Sequence, residues 1–237
     1  MRICFSGAQN TGKSTVINDF LETWPMYEKA TESYRDKAKN SPTLKLNQEG
    51  NKESQTIIRD ALIDTAQLYD KDSKVLFDRC IFDNLAYSLW LNARGKVTDL
   101  FIEQQIPIIK NAMEFYDIIF FIPVLDAYPV EIVESVDGLR DLDPVFRKEI
   151  DHIMKAMLTD YHSQKRKFFP NEDCPCIIEL FGSPEERIQM IKLYVAENGG
   201  MIGEDENLLS DIPDLEDIDP ALKDFADSME PPSRIIH

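Results

Sequence analysis

The sequence predicts an α/β fold in which a mostly parallel five-stranded sheet lies between two layers of helices. Apolar runs of strand length alternate with segments whose apolar residues recur at helical spacing, as in parallel α/β sheets. The first apolar run leads straight into a glycine-bounded loop and a helix. A chain of 237 residues has room for one such domain and an appendage. We place the domain at residues 1–200 and an acidic tail, extended or disordered, at residues 201–237.

The loop Gly7–Thr15 fits the pattern G-x-x-x-x-G-K-[ST] at every fixed position. A strand over residues 2–6 precedes it, and a helix over residues 16–21 follows. In this setting backbone N–H groups converge on phosphate oxygens, and the helix N-terminus adds partial positive charge. Lys13 is expected to reach the β- and γ-phosphates of ATP, and the Ser14 hydroxyl to ligate Mg²⁺. The predicted nucleotide-binding residues of this P-loop are Gly7, Gln9, Asn10, Thr11, Gly12, Lys13, Ser14 and Thr15.

An apolar strand over residues 74–79 ends in an acid and a base, Asp78 and Arg79. Ligands of open α/β sheets lie beyond the carboxyl ends of the strands, which brings both side chains near the phosphates. Asp78 is therefore the expected second acidic partner of Mg²⁺, directly or through water. The alternative is that Asp78 only caps the next helix.

The helix over residues 81–92 is rich in aromatic residues. Asp83 and Tyr87 are candidates for holding the sugar or base of a substrate, together with Phe82 and Trp90. The alternative is that the aromatic residues belong mainly to the core.

Two arginines follow the most apolar strand, residues 117–124. Arg140 lies in a loop and Arg147 near the start of the next helix. Arginine suits the spread charge of a phosphoryl group at its transition state, so both are catalytic candidates. A solvated loop with surface ion pairs is the alternative.

Composition narrows the class of protein. The formal net charge is −17, and the segment from Gly203 onward carries 11 acidic and 2 basic residues, so a dedicated nucleic-acid binder is not expected. The sequence contains no run of eighteen apolar residues, so we expect no membrane span. The N-terminus has no basic and apolar leader, so we expect no signal peptide. The four cysteines include no CxxC pair, which favours reduced thiols in the cytoplasm over a disulfide framework or zinc site.

Four features together resemble a family of small P-loop kinases, typified by the nicotinamide riboside kinase domain of bacterial NAD regulators and related to nucleoside and nucleotide kinases. They are the P-loop, Glu32-x-x-Arg35 after a second strand near residues 26–31, the strand ending at Asp78, and Asp137-Gly138-Leu139-Arg140. The resemblance covers residues 1 to about 198 and implies a three-layer P-loop NTPase fold. It also implies transfer of the γ-phosphoryl group of ATP–Mg²⁺ to a small-molecule nucleoside or nucleoside monophosphate.

Within this scheme we expect Glu32 to orient or deprotonate the acceptor hydroxyl, with Arg35 and Arg79 binding the acceptor. Glu32 as a mere helix-start acid is the alternative. Two other functions stay open: a nucleotide-sensing ATPase that acts through a protein partner of the acidic tail, and a kinase of a modified base in DNA. A switch GTPase would carry a guanine-reading N-K-x-D, which the sequence lacks. The sequence also leaves a homo-oligomer possible.

Overall fold

The computed structural model describes residues 1–31, 44–127, 141–163 and 166–203. Its sheet has five strands in the order β2-β3-β1-β4-β5, and every neighbouring pair is parallel. The strands are β1 Arg2–Ser6, β2 Glu28–Lys29, β3 Val75–Asp78, β4 Ile118–Phe121 and β5 Cys176–Glu179. The predicted α/β fold with a five-stranded sheet is confirmed, and the sheet is parallel throughout.

Six α-helices lie in the described part of the chain. They are α1 Lys13–Thr23, α2 Lys52–Ala66, α3 Ile81–Asn92, α4 Asp99–Ala112, α5 Pro144–His162 and α6 Pro184–Ile191. Short 3₁₀ turns cover Asn47–Glu49 and Met113–Phe115. Several helices begin where a side chain accepts from a free backbone N–H of the first turn. Asp143 caps α5 in this way and Ser183 caps α6, each directly before a proline that suits the first helical position.

Residues of β1 show how the helices form two layers on the sheet. Cys4 belongs to a buried cluster that also contains residues of α3, α4 and α5. The next residue, Phe5, points to the opposite face and packs edge-on against Phe20 of α1. On that face α1 packs against α6, so the molecule has the expected three layers. Residues 1–200 form one compact unit.

The strand register brings the candidate site to one edge of the sheet. Phe5 of β1 is paired with Asp78 of β3, and Ser6 is paired with Phe121 of β4. The carboxyl ends of these three central strands therefore lie side by side at one edge of the sheet. The P-loop follows β1 directly at this edge. This is the edge at which parallel α/β sheets bind their ligands.

Some predicted residues fall outside the described ranges. They are Glu32 and Arg35, the segment Asp137-Gly138-Leu139-Arg140, and the tail from residue 204 onward. Among the helices that the structure does describe, none is long and apolar enough to cross a membrane.

Candidate nucleotide-binding site

Two glycines set the shape of the P-loop. Gly7 has φ of 144°, and a Cβ at this position would lie 2.5 Å from the carbonyl oxygen of Ile122. Gly12 has φ of 88° and caps α1 in a left-handed conformation. Residues with a side chain rarely adopt either conformation, so both motif glycines are required by the backbone. The loop that results ends at the N-terminus of α1, where backbone N–H groups are free for an anion.

Lys13 lies across the loop that it helps to form. Its side chain is buried, and its ammonium donates to the carbonyl oxygens of Gly7 at 2.8 Å and Ala8 at 2.5 Å. Ser14 and Thr15 follow on the first turn of α1 and are exposed. The positive charge of Lys13 is thus held at the P-loop, and the Ser14 hydroxyl is accessible to a metal ion.

Gln9 adds a side-chain donor to this phosphate cradle. The residue is only 4% exposed, and within the described residues its amide nitrogen Nε2 has no hydrogen-bond partner. A buried polar group without a partner is costly, and an anionic ligand would satisfy it. The loop as a whole therefore fits the phosphates of a nucleotide.

Asp78 ends β3 next to the P-loop, as predicted. Its side chain is buried, and Oδ2 lies 3.9 Å from the ammonium of Lys29. Its other oxygen, Oδ1, is buried and receives no hydrogen bond from the residues that the structure describes. Mg²⁺ prefers oxygen ligands, and the Ser14 hydroxyl and the Asp78 carboxylate supply two of the right type. These two residues fit a magnesium ion, held directly or through water.

Arg79 and Asp83 hold the first residue of the P-loop, Gly7, through its carbonyl oxygen and its N–H. Arg79 Nη1 donates to the carbonyl oxygen of Gly7 at 3.2 Å and to Asp83 Oδ1 at 3.0 Å. Asp83 Oδ1 also accepts from Gly7 N at 3.3 Å, and Oδ2 accepts from Cys80 N at 3.1 Å. Both side chains were predicted to bind substrate, and their contacts with Gly7 give them a positioning role for the loop.

The aromatic residues of α3 divide into two groups. Tyr87 is half-buried beneath the guanidinium of Arg79, at 5.5 Å from the ring centre, and it packs against Phe146 of α5. Phe82 and Trp90 are buried in the core, which is the role that the alternative interpretation gave them. Of these three residues, only Tyr87 is partly exposed, and it lies on the side of α3 near the P-loop.

Two arginines from different helices contact successive carbonyl oxygens of the P-loop. Arg147 of α5 donates from Nη1 to the carbonyl oxygen of Asn10 at 3.0 Å. Arg187 of α6 donates from Nη1 to the carbonyl oxygen of Thr11, also at 3.0 Å. The sequence identified Arg147 as a site residue but missed Arg187. The one available signal was its place in the first turn of the helix after the last strand, and that position alone does not single out a site residue.

Below the P-loop lies a small buried cluster of Cys4, Cys80 and Asp83. The two sulfur atoms and a carboxylate oxygen all lie within 4.8 Å of one another. Burial is the main cause that raises the pKa of the Cys4 thiol well above its usual value, with the neighbouring Cys80 adding to it. All four cysteines of the chain are free. Cys4 is therefore a protonated thiol, and both cysteines pack as small apolar side chains of the core.

Comparisons with known proteins agree with this geometry. Residues 2–169 match a family model described as an AAA domain. A deoxyadenosine kinase from M. mycoides, solved with dCMP and dCDP, is 15% identical with a TM-score of 0.55, and the match covers 81% of this chain and 96% of that one. A curated-sequence search gives no match.

NadR is similar over a smaller part of its length. Its complex with NR is 13% identical with a TM-score of 0.52, over 77% of this chain and 44% of NadR. Its complex with NAD and AMP-PNP is 13% identical with a TM-score of 0.53, over 81% and 48%. The chain described here thus spans less than half the length of NadR. At these identities the likeness establishes the fold, which is that of P-loop kinases.

Proposed function

The chain belongs to the AAA domain family and has the fold of P-loop kinases, and on this basis we propose that it is an ATP-dependent phosphotransferase. It transfers the γ-phosphoryl group of ATP to a nucleoside or a nucleoside monophosphate. The four free cysteines support a reducing, cytoplasmic location for this enzyme.

The observation that carries the proposal is the pairing of an anion cradle with an unsatisfied carboxylate. Lys13 and the buried amide of Gln9 supply positive charge and a donor at the P-loop. Asp78, whose buried Oδ1 accepts no hydrogen bond from the described residues, ends the neighbouring strand at the same edge of the sheet. Bound phosphates would satisfy the donors of the P-loop, and a divalent cation would satisfy the carboxylate of Asp78. A loop with a purely structural role would need neither group.

The donor half of the mechanism follows from these groups. The P-loop N–H groups and Lys13 bind the β- and γ-phosphates and spread their negative charge. Ser14 and Asp78 would hold Mg²⁺, which would supply positive charge to neutralise the phosphate oxygens. Positioning and charge neutralisation supply most of the rate enhancement of phosphoryl transfer, so strong acid–base chemistry is not required.

The acceptor half rests on residues around this centre. Arg147 Nη1 lies 3.0 Å from the carbonyl oxygen of Asn10 in the P-loop. Together with Arg140, Arg147 stabilises the transferring phosphoryl group. Glu32 orients or deprotonates the acceptor hydroxyl, and Arg35 binds the acceptor with it. We place Arg79 and Tyr87 in the part of the acceptor pocket closest to the P-loop, where Asp83 holds Arg79 in position. Arg79 suits an acceptor that already carries a phosphate.

The test is a panel of nucleosides and nucleoside monophosphates incubated with ATP and Mg²⁺, with products identified by mass spectrometry. We expect at least one acceptor to gain a phosphoryl group. Lys13→Ala should abolish this transfer with the circular dichroism spectrum unchanged, whereas the exposed control Lys71→Ala should transfer at the wild-type rate. ATP hydrolysis without any phosphorylated acceptor would instead indicate a nucleotide-sensing ATPase. Full activity of Lys13→Ala would refute the donor site.

A further inference from the structure

Arg187 is a buried cation that lacks a counter-ion among the described residues. It is 4% exposed, and burial alone lowers the pKa of its guanidinium, with no carboxylate contributing. Its Nε is buried and has no hydrogen-bond partner in the described part of the chain. Burying a charge is costly unless the charge is paired, so this position requires an anion that the described residues do not supply.

The contact that Arg187 does make is with the P-loop. Nη1 donates to the carbonyl oxygen of Thr11 at 3.0 Å. A Cβ added to the following residue, Gly12, would lie 3.0 Å from the same nitrogen. The second motif glycine thus leaves room for the guanidinium as well as permitting the left-handed turn. No other residue type at position 12 would let Arg187 approach this closely without displacement.

A peptide unit links this contact to the phosphate side of the loop. The carbonyl of Thr11 and the N–H of Gly12 belong to one planar trans peptide and point in opposite directions. A guanidinium that fixes the carbonyl on one side therefore aims the N–H to the other side. Hydrogen bonding by a charged donor also polarises the peptide and makes its N–H a stronger donor. Arg147 has the same relation to the preceding peptide, through the carbonyl of Asn10.

We propose that Arg187 is a positioning residue for the donor nucleotide. It holds the Thr11–Gly12 peptide so that its N–H faces the phosphates, and the polyphosphate provides the counter-charge that the described residues do not supply. The proposal rests on the proposed function only in requiring a nucleotide at the P-loop. It predicts that the importance of Arg187 grows with the number of phosphates on the ligand.

The test measures binding of ATP, ADP and AMP to the full chain by isothermal titration calorimetry, alongside thermal unfolding. Arg187→Met removes the charge but keeps the length of the side chain. We expect it to bind ATP about 10- to 100-fold more weakly, the range for loss of a charge-assisted hydrogen bond, with a smaller loss for ADP and the smallest for AMP. Its Tm should stay within a few degrees of wild type, because an apolar side chain tolerates burial better than an unpaired cation.

Two further variants separate this role from simple anchoring of α6. Arg187→Lys keeps the charge and should recover most of the ATP affinity, which also provides a folded variant if the methionine variant is unstable. Arg59→Gln is the matched control, since it removes a guanidinium of similar burial that pairs with Asp60 on α2. It should bind ATP like wild type.

Three results would overturn the proposal. One is wild-type ATP affinity in Arg187→Met. A second is an equal loss of affinity for ATP, ADP and AMP in Arg187→Met, accompanied by a large fall in Tm and not restored in Arg187→Lys. This result would identify Arg187 as a structural anchor. The third is a wild-type chain that binds no nucleotide, which refutes the proposed function as well and is recognised by the wild-type titration alone.

Discussion

Asp83→Asn distinguishes a positioning role of Asp83 from the acceptor-binding role that the sequence predicted. The carboxylate accepts from Gly7 N at 3.3 Å, Arg79 Nη1 at 3.0 Å and Cys80 N at 3.1 Å. An amide has one acceptor oxygen in place of two and carries no charge. The variant therefore leaves at least one of these donors unsatisfied, and it leaves Arg79 without its counter-charge.

The size of the effect follows from these contacts. Loss of a hydrogen bond between charged groups costs about 1.5–3 kcal/mol, and loss of the helix cap at Cys80 about 1 kcal/mol more. We expect the free energy of unfolding to fall by about 2.5–4 kcal/mol. A domain of this size loses about 2–4 °C in Tm per kcal/mol, so Tm should fall by about 5–16 °C. ATP binding should weaken too, because Gly7 N–H belongs to the P-loop.

Circular dichroism melts and calorimetric titration of ATP measure both quantities. Asp72→Asn, which alters an exposed acid in the turn before β3, is the control and should change neither. If Asp83→Asn melts and binds ATP like wild type while its KM for the acceptor rises, Asp83 contacts the acceptor and the positioning argument is wrong.

Three further predictions concern the same edge of the sheet. Asp78→Asn should abolish Mg²⁺-dependent turnover while Tm changes by only a few degrees, because Oδ1 accepts no hydrogen bond from the described residues and Oδ2 lies 3.9 Å from the exposed ammonium of Lys29; a large fall in Tm with activity retained would show that Asp78 is structural. Gly7→Ala should lower the free energy of unfolding by about 2 kcal/mol or more and abolish ATP binding, because the new Cβ would lie 2.5 Å from the carbonyl oxygen of Ile122. An unchanged Tm and unchanged ATP binding would contradict this loop geometry. Burial raises the pKa of Cys4 well above 9.0 in the folded protein. Above pH 9 the folded thiol therefore keeps a proton that the unfolded thiol loses. The free energy of unfolding should then fall by up to about 1.4 kcal/mol for each pH unit. Urea unfolding of wild type and Cys4→Ser at pH 8 and pH 10 checks this, and an equal loss in both would exclude Cys4 as the cause.

Features encoded by residues close together in the sequence were predictable. The P-loop pattern has fixed spacing, and its strand and helix flank it directly. The strand ending at Asp78 was equally clear, because an apolar run of strand length stops at a charged pair. Both predictions needed only local periodicity and one general rule, that ligands of parallel sheets lie beyond the carboxyl ends of strands.

Element lengths were less predictable, because packing sets them. The second strand was expected near residues 26–31, but β2 covers only Glu28–Lys29. Tyr27 instead packs edge-on against Phe20 of α1, and its hydroxyl donates to the carbonyl of Gly199.

Contacts between distant segments were beyond sequence reasoning. Arg187 reaches Thr11 across 176 positions of the chain. Its sequence context, a capped helix start after the last strand, is common to many surface helices. Asp83 is a substrate-binding candidate from the sequence, but its bond to Gly7 depends on how α3 approaches the P-loop. Neither role leaves a local pattern.

The most direct test of the account is a crystal structure with a non-hydrolysable ATP analogue and Mn²⁺, with the metal located by anomalous scattering. The account predicts the triphosphate on the backbone N–H groups of the P-loop, with Lys13 turned from the loop carbonyls to the phosphates. It also predicts the metal peak between the Ser14 hydroxyl and the Asp78 carboxylate. An analogue bound elsewhere, or a metal peak away from Asp78, would contradict it.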